Sequence, residues 1–279
     1  MSWQYLAQTG AHGPQTDIIV GTPNTGTVSY EWATRLRTLN FPPGLTWGTA
    51  GYSGQPVDIA RNIIVTNALR MQCRYLFFVD SDILLHPDTL ISLHKHRQPV
   101  LSGTYLNRSP PYNIVAHLGK RSLTADTLQK RVPIDPIPVD EVGAGVLLID
   151  SRVFYRLMEM QIVDDWYCII DHNPKLEGKK EVAVFNSKEA IASNFLCPKC
   201  LDIRKESNVL LGNFFTYNIQ RDKDEYEGED YNFCKKVRKS GILVKLDLNV
   251  VVQHEVYRLL VDGNGIHSPN SPPTEAMRA

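Results

Sequence analysis

The sequence predicts an α/β protein with a mostly parallel sheet flanked by helices, and three observations carry that expectation. Continuous apolar runs recur, in "TDIIVGTP" at 16–23, "YLFFV" at 75–79 and "VGAGVLLID" at 142–150, without the polar alternation of a strand that faces water. Such runs are strands covered on both faces, as in a parallel sheet between helices. Between the first and the second the order is strand, helix, strand, helix, strand, which is that of a parallel α/β unit. The run at 75–79 also stops on two acids, Asp80 and Asp82, and open α/β sheets hold ligands at the carboxyl ends of their strands.

The elements follow in order. After the first strand comes a polar loop, "GTPNTGT" at 21–27, whose backbone N–H groups could cradle a phosphate. It has neither the G-x-G-x-x-G pattern nor a P-loop lysine. Residues 28–39 read as a helix, 45–50 as a second strand, and 57–72 as a helix with Ile59, Ala60, Ile63 and Ile64 on one face. A helix is expected from Asp88 to about His96, then strands at 100–106 and 112–118. The Pro-rich stretch 131–142 suits a sheet edge. Gly143 and Gly145 open the strand that follows, where something must approach the backbone closely. Residues 151–160 read as a capped helix.

From 161 to 222 the periodicity blurs, and this segment reads as an insertion. Regularity returns at 228–241, a helix with acids in its first turn, basic residues in its last and a terminating glycine. Residues 242–255 read as strands ending at His254. The expected organisation is an N-terminal tail (1–15), a first part of the domain (16–160), the insertion (161–222), a closing part (223–262) and a flexible tail (263–279), rich in Gly, Pro, Ser and Asn.

Composition narrows the function. The chain has 279 residues, 43% hydrophobic and 22% charged, as in ordinary globular proteins. Lys+Arg and Asp+Glu number 30 each, so no bulk field draws nucleic acid or anionic lipid, and an anionic substrate must be held by local groups. No run approaches the ~18 apolar residues of a membrane span, and the start has no basic region followed by an apolar stretch. No integral membrane segment and a cytoplasmic location are therefore expected. Five cysteines without an export signal fit reduced thiols or metal ligation better than a disulfide framework.

Four constellations carry chemistry, each with a plainer alternative. Asp80 and Asp82, two apart, repel each other unless a cation or proton lies between them. A hard divalent metal shared with substrate phosphates would serve; otherwise they shape a turn and cap the next helix. Arg61 either clamps a phosphate or sits on a solvated face. Glu227, Glu229 and Asp230 crowd a helix N-terminus, as caps or, for one of them, as a general base. Cys197 and Cys200 have the spacing of a zinc knuckle, which is half a site. Cys168 and His172, in "WYCIIDH", could complete it; the alternative is reduced cysteines in a tight turn.

Taken in order, "IIVGTP", "ARN", "YLFFVDSDILLHPDTL", "VGAGVLLID", "GEDYNFCKKVRKSG" and "VVVQH" resemble the successive motifs of GT-A glycosyltransferases, especially the family-2-like group. The resemblance runs from about Asp17 to His254 and skips the insertion. Its most specific part is D-x-D after an apolar strand, combined with the later G-E-D helix and the strand-terminal histidine. It implies a Rossmann-like GT-A domain and a metal-dependent transferase acting on a nucleoside-diphosphate sugar. Thr22, Pro23, Asp58, Arg61, Asp80 and Ser81 would lie at the nucleotide. Asp80, Asp82 and His254 would hold Mn2+ or Mg2+. Asp230 would be the catalytic base, with Glu229 orienting it. Gly143, Ala144 and Gly145 would lie against the donor sugar, and Trp166 would stack on the acceptor. The insertion has no counterpart among the motifs, so the acceptor stays open among glycan, protein, lipid and small molecule.

Rivals fit less of the chain. Haloacid-dehalogenase-like phosphatases also place D-x-D after an apolar strand, but normally the first of the domain and followed by x-Thr or x-Val; here Ile83 and Leu84 follow. Sugar-nucleotide pyrophosphorylases carry basic residues in the first loop, and "GTPNTGT" has none. A zinc-bearing non-enzymatic binding module leaves the D-x-D and G-E-D pairing unexplained.

Overall fold

The computed structural model describes residues 16–24, 26–129, 135–168, 182–200, 209–220, 225–256, 259–262 and 265–267. The first elements are β1 (Ile18–Asn24), α1 (Tyr30–Arg37), β2 (Trp47–Ser53), α2 (Val57–Arg70) and β3 (Tyr75–Val79). β1 pairs in parallel with β2 on one side and β3 on the other, and β3 is buried along its length, as its unbroken apolar sequence requires. Ser29 caps α1 by accepting from Trp32 N at 3.0 Å, with Glu31 in the first turn and Arg35 and Arg37 in the last. The pairing of β1 continues to Asn24 against Ser53, just past the strand expected at 16–23, so Thr22, Pro23 and Asn24, which the expected loop at 21–27 also included, are strand residues.

β4 (Ile83–Leu84), α3 (Thr89–His94) and β5 (Val100–Thr104) follow, then β6 (Ala116–Leu118), β7 (Arg121–Ser122), α4 (Asp126–Gln129), β8 (Ile137–Val139) and β9 (Glu141–Val142). β6 joins β7 and β9 in a small sheet. β8, with its proline, closes the edge of the main sheet, where a missing N–H costs least. β10 (Val146–Asp150) inserts between β3 and β5, antiparallel to both, and leads into α5 (Arg152–Glu159).

The segment 161–222 forms β11 (Trp166–Cys168), β12 (Val184–Phe185), α6 (Ser187–Ala192), a single 3-10 turn (Pro198–Cys200), β13 (Leu210–Gly212) and β14 (Asn218–Gln220). β11 lies between β12 and β13. Trp166, Phe195, Cys197, Leu210, Phe214 and Phe215 join one hydrophobic core with Ile19, Ile64, Leu147 and Phe154. The segment therefore packs into the main body. Asn62 ties it to α2 by two hydrogen bonds with the Phe215 backbone, at 2.7 and 2.9 Å. This explains why nine residues of α2, including Arg61 and Asn62, are buried: the sheet covers one face and this segment the other.

The remaining described elements are β15 (Glu225–Glu227), α7 (Glu229–Lys239), β16 (Val244–Val251), β17 (Gln253–Val256), β18 (Leu259–Asp262) and β19 (Gly265–His267). The central sheet has the order β2-β1-β3-β10-β5-β16-β8. β1, β2, β3, β5 and β16 share one direction, and β10 and β8 oppose it. Two expectations are corrected. His254 does not end a strand, because β17 continues to Val256 in a sheet with β4, β18 and β19. Residues 265–267, expected in the flexible tail, pair with β18 as the edge strand of that sheet. The rest of both predicted tails, 1–15, 263–264 and 268–279, lies outside the described residues.

Candidate functional site

Asp80 leaves the end of β3 held by its backbone. Its N–H donates to Gly145 O at 3.0 Å, and its carbonyl accepts from Ile83 N at 3.1 Å and from Trp32 Nε1 at 2.9 Å. The turn expected of the plainer reading is thus present, but the carboxylate is otherwise engaged. Oδ1 accepts from Arg61 Nη2 at 2.7 Å. Arg61 Nη1 meets Glu229. The guanidinium is 3% exposed and flanked by the rings of Phe78 and Phe215, its carbon 6.0 and 5.8 Å from their centroids. Burial by itself would lower its pKa, but the charges of Asp80, Glu229 and Asp230 reverse that and raise it, so the arginine is charged. A charge this deep is tolerable only when paired in this way. Arg61 therefore does not sit on a solvated face; it joins the end of β3 to the start of α7.

Glu229 and Asp230 begin α7, yet neither is its N-cap; that position is Gly228, without a side-chain bond. Glu229 is buried against Arg61. Asp230 is half-buried, and its Oδ1 accepts from the N–H of Tyr231 at 2.8 Å. Desolvation, with Glu229 and Asp80 nearby, pushes its carboxyl up to about 6 against the opposing pull of Arg61 and the Tyr231 N–H. An acid titrating near neutrality can accept a proton from a substrate hydroxyl.

Asp82 meets His254 because β17 pairs with β4. His254 lies opposite Ile83, and Glu255 N donates to Asp82 O at 2.8 Å. His254 Nε2 is 3.4 Å from Asp82 Oδ2. Its Nδ1 donates to Leu106 O at 2.8 Å, so Nε2 carries the lone pair, which accepts from Arg108 Nε at 3.0 Å. Arg108 Nη2 is paired with Asp82. Burial lowers the pKa of His254, the Leu106 carbonyl opposing it and Arg108 adding to it, which favours the neutral imidazole. Among the described residues Asp80, Asp82 and His254 do not gather their ligand atoms within 4.8 Å of one another; the group that does is Cys168, Cys197 and Cys200. Positive charge at the D-x-D comes instead from Arg61 and Arg108.

Several expected ligand contacts are corrected. Gly143, Ala144 and Gly145 are buried, and the group lying over the two glycines is Tyr105. A Cβ on Gly143 would overlap the Tyr105 hydroxyl and one on Gly145 would come within 2.8 Å of it; that hydroxyl accepts from Gly145 N at 3.0 Å. The glycines thus make room for a side chain of the protein. Trp166 is fully buried, its ring against Phe195 and Phe214 and its Nε1 donating to Ser187 Oγ at 3.1 Å, so it cannot stack on an acceptor. Thr22 and Pro23 are buried in β1. Ser81 is half-buried in the turn. Asp58, in the first turn of α2, has a buried Oδ1 without a hydrogen-bond partner among the described residues.

Sequence reasoning missed Trp32, Tyr105 and Arg108. The first two lie inside an expected helix (28–39) and an expected strand (100–106) with no motif around them, and Arg108 lies between two expected strands. Of the predicted zinc ligands, Cys168, Cys197 and Cys200 converge in full burial, and His172 lies outside the described residues. This buried three-cysteine group could hold a metal ion. Without one, burial and the two neighbouring thiols push the Cys200 thiol up to about 12.

No helix among the described residues is long and apolar enough to cross a membrane. No protein-family model matches the chain, and no curated protein matches it. In fold it is similar to A197 from STIV, with a TM-score of 0.50 and 12% identity over 93% of this chain and 97% of that one. A UDP-glucose phosphorylase from Trypanosoma brucei aligns over 69% of this chain and 56% of its own at 14% identity, but with a TM-score of 0.22, below what supports a shared fold. The comparisons thus place the chain by the shape of its α/β body, built on a large mostly parallel sheet.

Proposed function

We propose that this chain is a GT-A-type glycosyltransferase that moves a sugar from a nucleoside-diphosphate sugar to an acceptor hydroxyl with the help of a divalent cation. The observation that supports this reading is the meeting, around Arg61 and Arg108, of Asp80, Asp82, His254 and Asp230. These residues are separated by up to 174 positions (254 − 80), and a turn or a helix cap would need none of the others.

The residues suit a hard cation. Asp82 offers carboxylate oxygen, and the Nε2 lone pair of His254 faces it, fixed by the bond from Nδ1 to Leu106. Asp80 keeps Oδ2 while Oδ1 serves Arg61. Asp80, Asp82 and His254 would hold Mn2+ or Mg2+, which supplies positive charge to the departing diphosphate. Arg108, well exposed, yields its place or turns to the phosphates. Asp58 would lie beside the nucleotide, as the resemblance implies. Asp230 accepts the acceptor's hydroxyl proton as that oxygen bonds to the anomeric carbon and the bond to the diphosphate oxygen breaks. Glu229 and Arg61 position Asp230 and carry no proton themselves.

The test is a panel of nucleotide sugars incubated with the purified protein, with and without Mn2+, reading release of nucleoside diphosphate. The expected result is metal-dependent turnover of one donor class, lost in Asp82→Asn. Thermal stabilisation by nucleotide and Mn2+ together, but by neither alone, is the accompanying binding result. Phosphate release from simple phosphomonoesters, with no response to any nucleotide, would replace this reading with a phosphatase.

A further inference from the structure

The second feature of the molecule with ligand-like geometry stands apart from the acidic site and does not depend on how that site is read. Cys168 ends β11. Cys197 precedes and Cys200 ends a 3-10 turn closed by a hydrogen bond from Cys200 N to Cys197 O at 3.0 Å. The three thiols come from segments about 30 residues apart, yet their sulfur atoms all lie within 4.8 Å of one another. Cys168 and Cys200 are 3.6 Å apart at sulfur. All three side chains are at most 1% exposed.

From this we infer that Cys168, Cys197 and Cys200 bind a structural zinc ion. Thiolate sulfur prefers a soft or borderline cation, and structural zinc is tetrahedral with four ligands, a set that three cysteines and one further donor complete with no demand on redox state. Sulfur atoms around a tetrahedral zinc, each about 2.3 Å from the metal, lie about 3.8 Å from one another, and the Cys168 and Cys200 pair already has nearly that spacing. A disulfide between the same two would need the sulfurs at about 2 Å and would leave the third thiol without a role. The ligands bind as thiolates, so loading releases their protons to solvent.

The position suggests what the ion does. Cys168 lies opposite Leu210 in the pairing of β11 with β13. Leu210 accepts a hydrogen bond from Thr66 Oγ1 of α2 at 2.9 Å and donates one to Phe195 O at 2.8 Å. The same segment supplies Phe215, which bonds to Asn62 and lies against the Arg61 guanidinium. Zinc would staple the 3-10 turn to β11 and so brace the wall behind α2. A cross-link between two short elements well separated in sequence supplies folding energy directly.

The experiment is elemental analysis of the full chain purified under reducing conditions, with cobalt(II) exchange as a spectroscopic readout. The expected result is about one zinc per chain and, with cobalt, a near-ultraviolet thiolate charge-transfer band with the visible bands of a tetrahedral site. Cys197→Ser and Cys200→Ser should each abolish the zinc. Cys73→Ser should keep it, since Cys73 is buried beside Ser151 and outside the group. If the serine variants do not fold, wild-type protein decides: titration of its thiols with a mercurial should release zinc to a chromogenic chelator. Wild-type protein that holds no zinc and takes up no cobalt with a thiolate band overturns the inference. So does stoichiometric iron in place of zinc, or a Cys168 to Cys200 disulfide found by mass spectrometry in protein as isolated.

Discussion

His254 turns its Nε2 toward Asp82 Oδ2 across 3.4 Å, and the guanidinium of Arg108 bonds to both groups. Arg108 thus occupies, as a cation, the place the proposed metal would take. Its side chain is 60% exposed, so the pairing is weak and displaceable. Arg108→Ala should tighten Mn2+ binding to the nucleotide-free protein by roughly 2- to 5-fold, the worth of an exposed ion pair. Titration followed by electron paramagnetic resonance of free Mn2+ measures this directly. Unchanged or weaker binding would mean that Arg108 does not compete for the site.

Asp230 makes a prediction in both rate and stability. With its carboxyl at about 6, the proportion able to accept a proton grows as pH rises through that value, so transfer should show an acidic limb there. Asp230→Asn should lose roughly 100-fold in transfer rate and the limb with it, while donor affinity persists. For stability the sign is opposite. The folded value lies above the ordinary 3.8, so the folded state favours the protonated acid, and stability is lost as pH rises from 3.8 through about 6. Asn mimics the protonated form. The variant should therefore raise the melting temperature above about pH 7 and change it little below about pH 4. Near wild-type transfer by Asp230→Asn would return Asp230 to a structural role.

Arg61 holds two acids far apart in the sequence, Asp80 and Glu229. Arg61→Met leaves Glu229 buried and uncompensated, and should cost about 3–5 kcal/mol in urea unfolding. Adding Glu229→Gln should recover part of that loss, because the stranded charge is gone. Arg61→Lys should remain impaired, since an ammonium cannot present two nitrogens in a plane to two carboxylates. Equal stability of the single and double variants would deny the coupling.

Gly143 tests the close packing of Tyr105. Gly143→Ala places a methyl group on the Tyr105 hydroxyl and should cost about 1–3 kcal/mol, the usual penalty for overpacking. Tyr105→Phe in the same chain removes the worst overlap, so the double variant should be more stable than the sum of the two single losses requires. Tyr105 also meets the His254 ring edge-on, with centroids 5.7 Å apart, so Gly143→Ala should weaken metal binding as well. Strict additivity of the two losses would place the alanine's effect elsewhere.

By itself the sequence determined the buried strands, their alternation with helices and the acids at the end of β3. These follow from short-range rules: an apolar run such as residues 75–79 has to be covered on both faces, and Gly, Pro and charge at its flanks mark where it stops. The pairing of Cys197 with Cys200 was also legible, since they are three apart and their spacing is itself a signal, whereas the arrival of Cys168 beside them was decided by β11. Tertiary structure alone decided what the other polar residues do. Arg61 looks like any helical arginine until the 161–222 segment covers its face of α2; with water excluded, its charge has to find Asp80 and Glu229. Trp166 and the glycines at 143 and 145 read as ligand contacts because sequence does not say which surfaces meet, and here Phe214 and Tyr105 fill the space a sugar would need. Even the meeting of His254 with Asp82 rests on a two-residue strand, β4, too short to carry a pattern; it pairs with β17 because their backbone N–H and C=O groups, once out of water, have to be satisfied by each other.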